Sequence, residues 1–181
     1  MAGDAENTHL WADADVYVSF DLEAAEPADA DTPFGGDWEL IGLLDGEEGF
    51  VEAREEEQSD HYAWGGILFK TSRRNFKLTR TFTAFEDNET TRRLRWPGSA
   101  GNEIRVPRAE RVLIAFETRE GDVTRRVISA YQAEVVINGD VTENEVDPAA
   151  LPFIATIYPD TTVSPARLFN VQPADDVSTG S

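Results

Sequence analysis

Polar and apolar residues alternate over most of this chain, and the period changes only once. Val16, Val18 and Phe20 alternate with Tyr17 and Ser19, the period of a half-buried strand. Residues 38–44 predict another strand, closed by Asp45-Gly46, and residues 50–55 a third. In the centre, 66–72 and 75–85 read as two strands joined at Arg73-Arg74. Phe76, Leu78, Phe82 and Ala84 share one face of the second, opposite Lys77, Thr79, Thr81 and Thr83. A row of threonines suits a solvated or subunit-facing sheet surface. Residues 88–96 then break the pattern and predict a helix. Asp87 or Asn88 can cap it, because a short side-chain oxygen accepts a free backbone N–H there. Arg92, Arg93 and Arg95 crowd its C-terminal end, where cations meet the negative pole of the dipole, and Pro97-Gly98 stops it. After an exposed loop over 99–108, alternation resumes at 111–117, 127–137 and 151–158. Glu120-Gly121-Asp122 and Asn138-Gly139 mark turns, the latter because both residues tolerate positive φ. About seven to eight strands with one flanking helix predict a mainly β fold, a β-sandwich or barrel, since each sheet must bury one face against another.

The expected organisation is an N-terminal arm over 1–13, one domain over 14–172 and a flexible tail over 173–181. The chain has 181 residues, a length that suits one compact domain, and its 40% hydrophobic content can fill a core. Residues 22–37 form a long loop or mobile insertion, rich in acids and broken by Pro27, Pro33, Gly35 and Gly36. No apolar run is long enough for a membrane helix, and the acidic N-terminus lacks the pattern of a signal peptide. Cysteine is absent, which excludes disulfides and thiolate metal sites but fixes no compartment.

Charge changes the picture. The net charge is −19, and residues 1–60 hold 19 Asp/Glu against the single cation Arg54. Residues 70–111 hold 11 cations and 5 acids. An acidic first third therefore precedes a basic middle, which gives a subunit two oppositely charged portions suited to contacts with copies of itself. The overall sign argues against tight nucleic-acid binding. Only two of the 16 cations are lysines. A high-GC genome and a high-salt cytoplasm explain that bias equally well, and the halophilic or non-halophilic host stays open.

Several ordered blocks carry a resemblance. They are the stretch 52–88, EAREEEQSDHYAWGGILFKTSRRNFKLTRTFTAFEDN; LRWPGS at 94–99; and ERVLIAFETREGDVTRRVISAYQAEV at 110–135. In order and spacing these resemble the major tail tube proteins of long-tailed, siphovirus-type phages and archaeal tailed viruses, over roughly residues 38–159. The resemblance implies a β-sandwich with a flanking α-helix, similar to type VI secretion tube proteins. It implies a virion protein, made in the host cytoplasm, whose hexameric rings stack into a hollow tail tube. Its implied partners are further copies of itself, the tape measure, terminator and distal tail proteins, and double-stranded DNA passing without tight binding. Neither a membrane nor a cofactor is implied. The acidic N-terminal third departs from the family pattern.

The candidate subunit-contact residues are Glu55, Glu56, Glu57, Asp60, Lys70, Arg73, Arg74, Lys77 and Trp11. The acid run with Asp60 could bind Ca²⁺ or Mg²⁺, but it lacks the ligand spacing and central glycine of an EF-hand loop, so a solvated or subunit-contacting face is preferred. Lys70, Arg73, Arg74 and Lys77 could grip phosphate; a strand-turn-strand tip pairing with a neighbour's carboxylates is preferred. Trp11 either docks onto a neighbour or folds back onto its own sheet. Trp38, Trp64 and Trp96 read as core or interface anchors. His9 and His61 have no ligand pattern around them. Hydrolase, phosphate-loop and zinc-protease motifs are absent, and no enzyme is expected. The alternative reading is a monomeric acidic β-sandwich module that binds cations or a basic partner.

Overall fold

The structure, a computed structural model, describes residues 8–173. The expectations for 1–7 and 174–181 lie outside the described residues. The chain is mainly β, with one short helix and an antiparallel sheet of nine strands among the described residues. The strands are β1 (Asp13–Ser19), β2 (Glu39–Leu40), β3 (Val51–Ala63), β4 (Ile67–Ala84), β5 (Arg111–Glu120), β6 (Val123–Ser129), β7 (Ala133–Ile137), β8 (Leu151–Ile157) and β9 (Phe169–Gln172); the helix is α1 (Glu89–Arg95). One layer runs β2-β1-β5-β6-β9 and the other β5-β7-β8-β4-β3. Strand β5 belongs to both. Its first residues, Arg111 and Val112, pair with β7, and from Leu113 onward it pairs with β1 and then β6. The sheet thus folds onto itself as a sandwich.

The core lies between the layers. Val16, Val18, Ile114 and Phe116 from one face meet Leu78, Phe82, Phe153, Ala155 and Ile157 from the other, all buried. Period-two alternation builds this directly, because alternate residues of each strand point to one face. The sheet's opposite face around β1 and β5 is also covered. Leu113, Ala115 and Ile128 pack there with Trp38, Tyr17 and Phe34. Phe34 stacks on Tyr17 at 4.2 Å and tilts against Trp38 at 5.1 Å. The acidic loop 22–37 is therefore seated on the sheet rather than free.

Four expected elements differ. Ile67–Ala84 is one continuous strand, so Arg73 and Arg74 lie mid-strand; the turn is at Gly65 and Gly66, both with positive φ. The strand expected at 38–44 is reduced to β2 and a bridge from Leu44 to Ala84, because the chain turns at Gly42. A Cβ there would sit 2.5 Å from the Glu86 carboxylate. The run 127–137 is two strands in different layers, separated where the chain crosses at 130–132. Thr79 and Thr83 are buried, not solvated.

The helix sits where the sequence puts it. Asn88 accepts from Thr91 N–H at 2.9 Å, and the Thr91 hydroxyl accepts from Asn88 N–H at 2.9 Å, a reciprocal capping box. Its arginines have individual partners beyond the dipole. Arg92 donates to Asp87 at 2.8 Å, Arg93 stacks over Phe20 at 3.6 Å while pairing with Glu110, and Arg95 lies over Trp96 at 5.3 Å.

Candidate functional site

Strand β8 stops pairing with β4 at Leu78, whereas β3 and β4 stay paired to Ala63 and Ile67. Residues 55–77 therefore form a two-stranded arm, beside which no third strand lies among the described residues. At 3.3–3.4 Å per residue it extends about 30 Å from the body. All of β3 is exposed, and so is nearly all of β4 out to Lys77.

The acid and base residues singled out in the sequence face one another across this arm. Glu55 is opposite Lys77, Glu57 opposite Arg74, Gln58 opposite Arg73 and His61 opposite Lys70. Lys77 reaches Glu55 at 3.9 Å, Arg73 reaches Glu56 at 3.9 Å, and Thr71 donates to Asp60 at 2.8 Å. The acid-to-base switch in the sequence is thus one ladder folded on itself, not two separate surfaces. Ion pairs this exposed contribute at most about 1 kcal/mol each.

Two register shifts bend the arm. Between the Glu55–Lys77 and Glu57–Arg74 pairs, Asn75 and Phe76 oppose the single residue Glu56. Asn75 takes φ 57°, and its side-chain amide donates to Glu57 at 2.8 Å. A second shift falls between His61 and Tyr62. Each places an extra residue in β4, which bends and twists a ribbon.

The arm ends in apolar side chains. Trp64 is 101% exposed, and Tyr62, Ile67, Leu68 and Phe69 surround it at half exposure or more. Trp64 was expected as a core or interface anchor and is not in the core; Tyr62, Ile67, Leu68 and Phe69 did not stand among the contact residues expected from sequence. The available signal was the pair Gly65-Gly66 flanked by large apolar residues, the pattern of a hairpin tip.

Trp11 folds back onto its own subunit. It is half-buried, stacks on His9 at 4.9 Å and lines the open end of the sandwich. His9 in turn pairs with Glu120 at 3.1 Å. His61 sits within 3.4 Å of the Ser72 hydroxyl. Among the described residues, no cluster of three or more His, Asp or Glu is arranged to hold a metal ion, and no helix is long and apolar enough to cross a membrane.

No protein-family model matches this chain, and no curated protein matches it.

A second polar constellation lies under the acidic loop. Glu117 and Arg126, 3% and 5% exposed, pair at 2.5 Å. Arg119 joins Glu117 and also donates to Asp15 at 2.5 Å and Asp13 at 2.7 Å. Burial opposes the charge on Arg119, but its hydrogen bonds to Asp15 and Asp13 win and raise its basicity above the usual arginine value. Arg126 donates onward to the Asp29 carbonyl at 2.8 Å and the Thr32 carbonyl at 2.6 Å. Gln172 holds the Pro27 carbonyl at 2.7 Å, and the Trp38 indole holds the Ala25 carbonyl at 2.9 Å. These bonds seat the loop.

Proposed function

We propose that this chain is a major tail tube subunit, assembling into stacked rings around a conduit for DNA. The observation that carries this reading is the free-standing arm. A two-stranded ribbon without a third strand or a helix beneath it is marginally stable in water. A long exposed edge also invites pairing with another chain. A partner that receives the arm removes both liabilities. Contacts between unlike surfaces on identical copies repeat head to tail, which gives rings and tubes rather than closed dimers.

The apolar tip decides how the arm binds. Fully burying a large apolar side chain contributes about 1.5–3 kcal/mol, so the residues around Trp64 outweigh the exposed ion pairs along the ladder. The blocks resembling tail tube proteins supply the identity of the assembly, and the negative body suits a conduit that does not retain phosphate.

Reversing Arg73 and Arg74 to Glu would set carboxylates beside Glu56 and Glu57 and loosen the arm itself, so neutral changes are the cleaner probe. Electron microscopy of concentrated protein should show tubes for the wild type. Trp64→Ser with Phe69→Ser should abolish them while circular dichroism stays that of the wild type. Arg73→Gln with Arg74→Gln should only reduce their number. A monomeric wild type at every salt concentration would remove the reading in favour of a binding module.

A further inference from the structure

The open end of the sandwich is a cavity of about 780 Å³ between the two layers, within the range of small-molecule sites. Two cations line it. Arg80 projects from β4 and Arg125 from β6, on opposite layers. The Arg80 guanidinium stacks on Phe116 at 4.4 Å and lies 5.8 Å from the Phe50 and Phe169 rings. Its side chain is 14% exposed. The buried Nε and Nη1 of Arg80 and the buried Nε of Arg125 have no hydrogen-bond partner. A desolvated donor left unpaired is costly, and costlier when charged. Burial lowers the basicity of Arg80; Glu52 opposes this and Arg125 adds to it.

The cavity's own acids do not meet that demand. Asp13 and Asp15 are committed to Arg119, Asp45 accepts from Glu47 N–H, and Glu86 accepts from Leu43 N–H and Asn88. Among the described residues the acid that approaches Arg80 is Glu52: its Oε2 lies 4.0 Å from Arg80 Nε, beyond hydrogen-bond reach, while its Oε1 accepts from Arg54 at 2.8 Å. The remaining wall is apolar, with Leu40, Leu43, Val127 and Val171 beside the phenyl rings.

We propose that this cavity binds a small amphipathic carboxylate, its headgroup held by Arg80 and Arg125 and its apolar body lying along Leu40, Leu43, Val127 and Val171. Guanidinium groups match the planar geometry of a carboxylate and strengthen its hydrogen bonds by charge. The aromatic and aliphatic wall favours an organic acid over a bare inorganic anion. The site belongs to one subunit and does not depend on assembly.

Titration calorimetry of the full chain with decanoate, below its micelle concentration, tests this. Saturable one-to-one binding is expected, with decanol at least tenfold weaker because it lacks the charge. Arg125→Met, at a partly exposed position, should weaken decanoate at least tenfold and leave decanol unchanged. Arg80→Met should act alike; if it does not fold, Arg125→Met and the decanol comparison still decide. Absence of saturable decanoate binding, decanol binding as tightly as decanoate, or wild-type affinity in Arg125→Met would each overturn the proposal.

Discussion

Arg126 shows how one side chain positions a long loop. Its Nε meets Glu117 while its Nη1 reaches two carbonyls of the loop at 22–37, and its guanidinium lies 4.7 Å from the Phe34 ring. Removing one member of a buried ion pair leaves the other charge desolvated, at a cost of about 3–5 kcal/mol. Arg126→Met should therefore lower the denaturant midpoint sharply. It should also expose the loop to a protease that cuts after Glu23. The double change with Glu117→Gln should recover part of the stability, because it removes a buried carboxylate left with Arg119 as its remaining arginine partner. A set of aspartates gives a second expectation at this scale. Arg119 holds Asp13 below the ordinary value of 3.8, the Thr32 hydroxyl and N–H hold Asp29 below it, and the Thr162 hydroxyl and N–H with Arg167 do the same for Asp160. A depressed folded-state value contributes stability that is present above the unfolded value and lost as pH falls through the folded one. Stability should thus decline below about pH 4. In Asp160→Asn that acid limb should be shallower, as thermal melts from pH 7 to pH 2 would show.

At the scale of elements, the arm is both the informative piece and the one sequence reading misplaced. Its strands were legible, since alternation and threonine content mark β structure whatever the partner. The turn was not, because Arg73-Arg74 is a polar break in the pattern while the glycine pair supplies the positive φ a tight reversal needs. The bulge at Asn75 explains why polar residues fall mid-strand: the strand bends there and the inward period is lost. The division between β6 and β7 was hidden for a related reason, since one apolar phase continues while the chain changes layers. The seat of the loop at 22–37 was illegible because Arg126 lies far along the chain. Asn75 carries the testable consequence. A β-branched residue in the left-handed region costs roughly 1–2 kcal/mol. Asn75→Val also loses the bond to Glu57. The arm is loosely coupled to the core, so the loss should be local. Amide exchange across 55–77 should accelerate about tenfold in Asn75→Val while the global unfolding midpoint barely moves. Asn75→Gly, which tolerates the conformation, should keep most of the protection.

For the whole molecule, charge is divided by architecture rather than by sequence thirds. Residues 55–77 hold four acids and four cations, so the remaining chain carries the whole of the −19. An almost neutral arm with an apolar tip therefore projects from a strongly acidic body. In the proposed assembly, body would repel body over long range, whereas tip contacts would act only at touching distance. Screening separates the two. The Debye length falls from about 10 Å at 0.1 M salt to about 3 Å at 1 M, which removes most repulsion between bodies and leaves apolar burial intact. Sedimentation velocity should accordingly show the assembled fraction rising with NaCl from 0.1 to 1 M. Trp64→Ser with Phe69→Ser should remain monomeric across that range. If ion pairs along the arm carried association instead, the assembled fraction would fall as salt rose, and the neutral Arg73 and Arg74 variant would lose assembly first. The two dependences have opposite sign, so one salt series on wild type separates a tip held by apolar burial from a ladder held by charge.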